Sequence, residues 1–560
     1  MSRSPDEIMR QAFPLYQAGR SGEAEVLLEQ ILAIDAGYAD ALYLLGEIRA
    51  GRGELERAIE LERAAVRANP REPALRRALG ELLCRRGIAL DEAGDTGAAA
   101  ACFGEARSAD PENPRALNNL GRALRLLGRA EEALAAFREL QRLLPDDAET
   151  SSNILFTLNL IPGYPPEEIF REHQRFDALH GAGRFGRRRR APRLPDPARR
   201  LRVGYVSPDL CAHAVSYFIE PVLRHHDPAG YDVHCYYCRP EADEVTARLK
   251  GLVPHWRDCA AWSDDALAGR IEADGIDILV DLAGHTAWNR LLVFARKPAP
   301  VQATWLGYLN TSGLGAMDYR ITDAHADPAG AADRLHSERL VRLPGSQWCY
   351  ARPAQAIDAG ARAPGGRLRF GSFNKASKLS PRVLGLWADV LSALPATDLL
   401  LVGVPSSEHP RLRAFFEGRG IAAGRLELLG RVPLEEFRAL HRAVDIALDT
   451  YPYSGATTTC DSLWMGVPTL TRAGETSVSR SSASLLATLG MADWIARSDA
   501  QFVELARAHA ADRAALGALR AALRRRFEDS ALMDGAGFTR GLEQAYRAMW
   551  REACAATSSS

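Results

Sequence analysis

The sequence lacks the features that mark several special classes of protein. The formal net charge of its 560 residues is −1, so no strong charge of one sign favours nucleic acid or an anionic membrane as a partner. No apolar run is long enough to span a membrane, and Met1 to Arg10 has no hydrophobic stretch typical of a secretory signal. We therefore expect a cytoplasmic protein that binds neither nucleic acid nor membranes.

Cysteines are few and scattered. The nine cysteines show no regular framework, which fits a reducing compartment better than a disulfide-bonded scaffold. Cys235 and Cys238 form a C-x-x-C pair, but they lie in a strand-like run, and no second pair exists to complete a zinc site. We predict that these cysteines pack in the interior, and we expect no metal site.

The remaining composition is that of an ordinary globular protein. Hydrophobic residues make up 47% of the chain and charged residues 25%, and the length allows about three or four domains. Four consecutive arginines at 187–190 lie among Gly and Pro, and we interpret this tract as part of a solvated linker.

The first part of the chain is repetitive. Four glycines recur at spacings of 34, 41 and 34 residues, namely Gly19, Gly53, Gly94 and Gly128. Each is followed five residues later by an alanine. A period of 34 residues with small residues where two helices touch is typical of tetratricopeptide repeats. The longer spacing indicates an insertion around Arg85 to Leu90 that lengthens one helix or its loop.

Repeats of this kind form an α-solenoid of stacked helical hairpins. The concave side of the solenoid could bind an extended peptide, or the array could only pack against the next domain or a second copy of the chain. Both roles remain open, as does a homodimer. We assign residues 1–150 to the repeat array and 151–200 to a helical connector and linker.

Two sets of apolar strands alternating with helices follow. The first set runs from Leu201 to Leu306 and the second from Leu368 to Leu470, and each predicts a parallel sheet covered on both faces. We assign residues 201–365 and 366–530 to two Rossmann-like α/β lobes, and 531–560 to a C-terminal helix and tail. No G-x-G-x-x-G motif follows the first strand of either lobe, which argues against a dinucleotide oxidoreductase.

One segment of the second lobe stands out. A buried strand ends at Leu448, and a turn containing Gly455 leads into a helix that begins among three threonines at 457–459. A helix N-terminus with hydroxyl donors is a natural site for a phosphate or diphosphate, although a threonine-capped helix without ligand is an equally good interpretation of this segment alone. Lys378, which follows another strand, could neutralise a diphosphate without a metal.

The order of these segments resembles glycosyltransferase family 41, the O-linked N-acetylglucosamine transferases, in their short bacterial form. The resemblance covers nearly the whole chain. It rests on several ordered stretches across both lobes, namely Arg202–Asp209 with His213, Trp305–Tyr308, Ser372–Asn374 with Lys378, Gly455–Asp461 and Gly474–Thr476 with Arg480.

The resemblance implies a GT-B fold and an inverting, metal-independent transfer of N-acetylglucosamine from UDP-N-acetylglucosamine to protein Ser or Thr hydroxyls, with no further cofactor. Carried over by position, Lys378 would stabilise the leaving diphosphate, and Asp461 would hold the ribose. His213 and Asp209 would lie near the reacting centre. The rest of the donor site would be formed by Thr457, Thr458, Gly455, Ala456, Gly307 and Tyr308.

The sequence also departs from the animal members of the family. Ala456 stands where they carry histidine, and the stretch 433–437 lacks their Lys and His. Arg438 and His441 would compensate only in part. Two alternatives therefore stay open: a protein O-fucosyltransferase that uses GDP-fucose, as plant relatives do, and an inactive scaffold whose lobes only bind partners.

Overall fold

The computed structural model describes residues 3–186, 195–351 and 366–558. By its internal contacts the chain divides into two compact units, Met1–Pro145 and Asp146–Ser560. The arginine tract at 187–190, interpreted above as linker, lies outside the described residues. Within the described ranges, no helix combines the length and the apolar character needed to cross a lipid bilayer.

The first unit is the predicted solenoid of helical hairpins. Its helices pack in sequential pairs, and they are α1 (Pro5–Gln17), α2 (Ser21–Ile34), α3 (Ala39–Gly51), α4 (Leu55–Ala68), α5 (Pro73–Glu92), α6 (Thr96–Ala109), α7 (Pro114–Leu126) and α8 (Ala130–Leu143). The four repeated glycines each follow the first helix of a pair with positive φ, between 72° and 86°, a conformation that glycine adopts without steric cost. The repeated sequence signal therefore marks the turns of the hairpins.

The insertion in the third repeat lengthens a helix rather than a loop. Helix α5 has 20 residues, whereas α3 and α7 have 13 each. In the fourth repeat, a Cβ atom on Gly121 would lie 2.6 Å from the ring of Phe137, and in the third repeat Gly87 stands in the same relation to Phe103, at 2.5 Å. The glycine that lets the two helices of the third repeat approach is thus Gly87, which stands seven residues before Gly94 as Gly121 stands seven before Gly128, so the extra residues precede it.

The second unit contains two parallel sheets. The first has the order β3-β2-β1-β4-β5-β6-β7, in which the strands are β1 (Leu201–Ser207), β2 (Tyr231–Tyr237), β3 (His255–Asp258), β4 (Ile278–Asp281), β5 (Val301–Thr304), β6 (Tyr319–Asp323) and β7 (Arg339–Leu343). The second has the order β10-β9-β8-β11-β12-β13, with β8 (Leu368–Ser372), β9 (Thr397–Val402), β10 (Leu426–Leu429), β11 (Ile446–Leu448), β12 (Thr469–Arg472) and β13 (Ile495–Ala496). Both orders reverse direction beside the first strand, as in Rossmann folds.

Helices cover these sheets and connect their strands. They are α9 (Ala148–Leu158), α10 (Pro166–His180), α11 (Ala182–Phe185), α12 (Ala214–His225), α13 (Glu244–Lys250), α14 (Asp264–Asp274), α15 (Leu291–Ala295), α16 (Pro381–Ala393), α17 (His409–Glu417), α18 (Leu434–Leu440), α19 (Thr457–Trp464), α20 (Ser481–Thr488), α21 (Asp499–Ala511), α22 (Arg513–Glu528) and α23 (Gly535–Ser558). Leu279 and Phe294 are among the fully buried residues of the first lobe's core. The predicted succession of a solenoid and two α/β lobes of GT-B type is confirmed.

The last helix packs on the first lobe. The hydroxyl of Tyr546 lies 3.2 Å from that of Tyr205 on β1, and the Glu543 carboxylate lies 2.9 Å from Nδ1 of His226. The helix runs as far as Ser558 and therefore takes up most of the segment 531–560.

Candidate active site

Polar side chains of both lobes meet at the points where the strand order reverses. In the first sheet, Asp209 and His213 follow the carboxyl end of β1, which lies between β2 and β4. In the second sheet, Lys378 follows β8 and the threonine turn follows β11, and these two strands are neighbours. In open α/β sheets this position is where ligands bind. The strand order therefore brings the predicted donor-site residues of the second lobe to one place.

A buried carboxylate holds the threonine turn in shape. Asp449 directly follows β11, and its Oδ1 accepts hydrogen bonds from the backbone N–H groups of Gly455, at 2.8 Å, and Thr450, at 2.9 Å. Its Oδ2 accepts one from the hydroxyl of Thr471, at 2.7 Å. Burial raises the pKa of Asp449, while the Thr471 hydroxyl opposes this shift. The turn is thus fixed before any ligand arrives.

The start of α19 lacks a side-chain cap. Its N-cap residue is Ala456, and no side chain there accepts a hydrogen bond from the first N–H groups of the helix. The interpretation of this segment as a threonine-capped helix is therefore wrong. Uncapped N–H groups and the positive end of the helix dipole favour an anion.

Two threonine hydroxyls lie against Gly455. A Cβ atom built on this glycine would lie 2.6 Å from Oγ1 of Thr459 and 2.7 Å from Oγ1 of Thr458. The Thr458 hydroxyl donates to Oδ1 of Asn374 at 3.0 Å, and Oγ1 of Thr459 lies 2.8 Å from Oγ of Ser482. Glycine is required here because the turn and the helix start are packed this closely.

Lys378 reaches the turn from the other strand. It ends a short 3₁₀ helix, Ala376–Lys378, and its Nζ donates to the carbonyl oxygen of Ser454 at 2.8 Å. The ammonium also lies 4.5 Å from the centre of the Tyr453 ring, a cation–π distance. Burial lowers the pKa of Lys378 to about 8, and the charge of Asp449 opposes this shift. The lysine thus carries a poorly solvated positive charge beside the uncapped helix start.

Asp461 of the second lobe is held by Tyr350, which lies near the end of the first lobe's segment of the chain. The hydroxyl of Tyr350 donates to Oδ1 of Asp461 at 2.6 Å. Burial raises the pKa of Asp461 to about 6, whereas the Tyr350 hydroxyl and the nearby positive charge of Arg438 lower it. Oδ2 of the same carboxylate remains as a second acceptor, which suits a pair of hydroxyl donors.

Asp209 and His213 lie together on the first lobe's side of the cleft. Nδ1 of His213 is 3.6 Å from Oδ1 of Asp209. Burial raises the pKa of Asp209 to about 7, against the positive charges of Arg239 and Lys375. Burial also lowers the pKa of His213 to about 4, and the same two cations add to that shift. Lys375 belongs to the second lobe, so the two lobes face each other here.

Gly307 and Tyr308 lie in the interior behind the cleft. A Cβ atom on Gly307 would lie 2.0 Å from the carbonyl oxygen of Leu282, so only glycine fits. The Tyr308 hydroxyl accepts from Nδ2 of Asn159 at 2.7 Å and lies 2.9 Å from Nε2 of His173. The Tyr308 hydroxyl is therefore hydrogen-bonded to residues at the connector helices α9 and α10.

The Gly474–Arg480 segment joins the two lobes. Nε of Arg480 donates to the carbonyl oxygen of His325 at 2.8 Å, and Nη1 donates to that of Gly474 at 3.0 Å. A cavity of about 930 Å³ lies beside this segment, and its walls include Glu475, Arg472 and residues of α10. We interpret the segment as a lobe contact that also packs on the threonine turn, because the carbonyl oxygen of Val478 accepts a hydrogen bond from the Ser454 hydroxyl at 2.9 Å.

No role was predicted from the sequence for two residues that build the site, Asp449 and Tyr350. Asp449 follows a predicted strand directly, which is a signal that could have found it. Tyr350 contacts Asp461 across 111 residues, and no local pattern indicates this contact.

His441 is fully buried, with its ring stacked on Phe373 at 3.6 Å, so its ring packs in the core.

Two Rossmann-like lobes in one chain, with Lys378 of the second lobe beside an uncapped helix start, are the architecture of the GT-B class. The chain belongs to glycosyltransferase family 41, whose sequence model matches residues 188–350 and 359–542. Models of the tetratricopeptide repeat match residues 15–82 and 84–148. The predicted family is confirmed.

Curated relatives and a solved structure agree with this assignment. The chain is 39% identical over 424 residues to a Solanum lycopersicum protein named probable UDP-N-acetylglucosamine–peptide N-acetylglucosaminyltransferase SPINDLY, covering 73% of this chain and 45% of that one. It is 30% identical over 371 residues to the Arabidopsis thaliana protein of the same enzyme name, SEC, covering 64% and 38%. The chain thus spans less than half the length of these relatives.

The structural similarity extends over almost the whole chain. A mutant of the O-GlcNAc transferase of Thermobaculum terrenum superimposes with a TM-score of 0.80 at 36% identity. The match covers 93% of this chain and 99% of that one. Repeats and lobes thus occur together in a solved bacterial protein of similar extent.

Proposed function

We propose that the protein transfers N-acetylglucosamine from UDP-N-acetylglucosamine to Ser or Thr hydroxyls of a protein acceptor, with inversion and without a catalytic metal. The observation that carries this proposal is the contact of Lys378 with the uncapped threonine turn. A cation and a helix start meet there, as the departure of a diphosphate requires. Family membership and the names of the relatives support the same donor.

The donor would be held by three parts of the second lobe. The diphosphate would lie at the start of α19, where Lys378 and the Thr457 hydroxyl can donate to it, as can the Thr458 hydroxyl once its proton turns from Asn374 to the ligand. The ribose hydroxyls would donate to Asp461, whose position Tyr350 fixes. Ala456 and Gly455 would contribute backbone rather than side chains, which suits a close approach of the phosphates.

In the transfer step the acceptor oxygen attacks the anomeric carbon as the bond from that carbon to the diphosphate oxygen breaks. The electron pair leaves with the diphosphate, where Lys378 balances the charge. The proton of the acceptor hydroxyl must pass to a base. We propose Asp209 for this role, because a pKa of about 7 suits a base at neutral pH better than the pKa of about 4 of His213. His213 would then orient the reacting groups as a neutral imidazole.

These pKa values predict the pH dependence of transfer. We expect kcat/KM to fall as the pH drops below about 7, because Asp209 becomes protonated, and to fall above about 8, because Lys378 loses its charge. The measurement is kcat/KM between pH 5.5 and 9 for the wild type and Asp209→Asn, with the exposed Asp258→Asn as a control. The residual activity of Asp209→Asn should lose the acidic limb, and a limb that persists near pH 7 would assign the proton transfer elsewhere.

The donor base is tested by nucleotide binding. We expect saturating UDP to raise the melting temperature by several degrees and GDP to raise it little, because a ligand at 100-fold its Kd stabilises the folded state by about 2.7 kcal/mol. Stabilisation by GDP alone would favour the O-fucosyltransferase. Ala456 and the burial of His441 leave room for that outcome. If neither nucleotide shifts the melting temperature, the lobes act only as a scaffold.

We further propose that the solenoid binds the protein acceptor. Helices α3 and α5 border a cavity of about 760 Å³ whose walls carry tyrosine and charges of both signs, including Tyr43, Glu47, Arg77 and Glu81. Side chains of this mixture can hydrogen-bond the backbone and polar groups of an extended peptide.

A further inference from the structure

Three metal-ligand side chains meet at the edge of the first sheet, away from the cleft. Asp232 and His234 lie on the same face of β2, because they are two residues apart on a strand. His255 begins the edge strand β3 and is the register partner of His234. One ligand atom from each of the three side chains lies within 4.8 Å of the other two.

The spacing of these atoms fits a bound transition metal. Nε2 of His255 is 3.2 Å from Oδ1 of Asp232, and Nε2 of His234 is 3.5 Å from Oδ2 of the same carboxylate. A tetrahedral zinc ion with bonds of about 2.0–2.1 Å holds its ligand atoms about 3.3–3.4 Å apart. The two imidazole rings are stacked, with centroids 4.1 Å apart. Small side-chain adjustments would therefore bring all three donors to one ion.

The middle ligand is buried and unsatisfied. His234 is only 5% exposed, and neither of its ring nitrogens has a hydrogen-bond partner among the residues that the structure describes. Burying a polar group without a partner costs free energy, so such a group calls for an explanation. A metal ion bound to one of its nitrogens would supply it.

The site is open to solvent on one side. The His255 side chain is 42% exposed, which leaves a path for an ion and room for a water ligand. Nη2 of Arg200 lies 3.4 Å from Oδ1 of Asp232, but this arginine side chain is 50% exposed and can turn away. Three protein ligands and one open position are typical of zinc sites that keep a water ligand.

We propose that Asp232, His234 and His255 bind one divalent transition metal ion, with Zn²⁺ the best fit to two imidazoles and a carboxylate. The three residues lie toward the amino-terminal ends of β2 and β3, whereas the cleft lies at the carboxyl ends of the strands. The ion would tie the edge strand to its neighbour and would take no part in sugar transfer. The proposal is therefore independent of the proposed function.

Calorimetric titration of the metal-free full-length protein with Zn²⁺ tests this site. We expect one ion per chain, and a higher melting temperature in its presence, because the ion binds only the folded arrangement. Asp232→Asn and His255→Asn should each weaken binding by at least about ten-fold, since even the loss of a group that orients a ligand costs roughly 10- to 100-fold. The control is His225→Asn, an exposed histidine of the same lobe, which should bind Zn²⁺ as the wild type does.

Two outcomes would overturn the proposal. One is that the wild type binds no Zn²⁺. It would count equally if Asp232→Asn and His255→Asn both bound Zn²⁺ as the wild type does while their melting temperatures without metal stayed close to that of the wild type. The other concerns Cys238 and Cys259, whose sulfur atoms lie 3.3 Å apart beyond the carboxyl ends of the same strands. A thiolate-to-metal charge-transfer band on loading with Co²⁺ would place the ion at those cysteines, whereas N and O ligands give none.

Discussion

Replacing Lys378 by alanine is expected to reduce sugar transfer by about 10²- to 10³-fold, the usual effect of removing one group that stabilises developing negative charge. The ammonium lies against the Ser454 carbonyl and the Tyr453 ring, at the uncapped start of α19. An additional negative charge develops on the diphosphate as the sugar bond breaks, so the loss should appear mainly in kcat. Initial rates with UDP-N-acetylglucosamine, or its hydrolysis without acceptor, measure the effect.

The stability of this variant should change little. Burial already lowers the pKa of Lys378 to about 8, so the free protein gains little from the charge at this position. A bound diphosphate would favour the charged form and raise the pKa again. Lys250→Ala is the matched control, because Lys250 is half-exposed and pairs with Asp258 on the surface, where ion pairs contribute little. If Lys378→Ala turned over as fast as Lys250→Ala, the role proposed for Lys378 would be excluded.

Much of the fold could be predicted because its signals are local. The repeated glycines adopt positive φ at the hairpin turns, so the period in the sequence is also the period of the structure. Four strands escaped prediction: β3, β6, β7 and β13. Three of them contain charged side chains, as in Arg339–Leu343, and β13 has two residues. The strands β3, β7 and β13 lie at sheet edges, which do not require a continuous apolar run, whereas β6 lies inside its sheet and carries the buried Arg320 and Asp323.

Site residues could be predicted where polar or charged side chains directly follow a strand that the sequence indicates. The threonine turn and Lys378 each follow a strand that the sequence indicates, and the strand order places β8 beside β11. The position of Tyr308 was different, because the direction of its hydroxyl depends on Asn159 and His173 in helices far away in sequence. The contact of Tyr350 with Asp461 is likewise a property of the folded chain.

The pKa values of Asp209 and Lys378 also follow from the fold. Burial favours the uncharged form of each group, so it raises the pKa of the Asp209 carboxyl and lowers the pKa of the Lys378 ammonium. Lys375 of the second lobe acts on Asp209 of the first, so the approach of the lobes sets part of this balance. A cleft that loosened would take Lys375 away from Asp209, and the loss of that positive charge by itself would raise the pKa of Asp209 further.

Replacing Gly455 by alanine is expected to weaken UDP binding by about 100-fold, a loss of the size that a misplacement of about 1 Å can cause in an enzyme's rate. The new Cβ atom would lie 2.6 Å and 2.7 Å from the hydroxyl oxygens of Thr459 and Thr458. Thr459 cannot move freely, because its hydroxyl contacts Ser482 in the interior. The turn and the Thr458 hydroxyl must therefore shift, and calorimetric titration with UDP measures the loss.

Gly385→Ala separates this effect from a general effect of the extra methyl group. Gly385 lies within α16 of the same lobe, and a Cβ atom there meets nothing within 4 Å. Alanine is favoured over glycine inside a helix by about 1 kcal/mol, so this control should be at least as stable as the wild type and bind UDP equally well. If folded Gly455→Ala bound UDP as tightly as Gly385→Ala, the diphosphate would have to lie elsewhere, because no anion could contact the start of α19 without sensing the displaced turn.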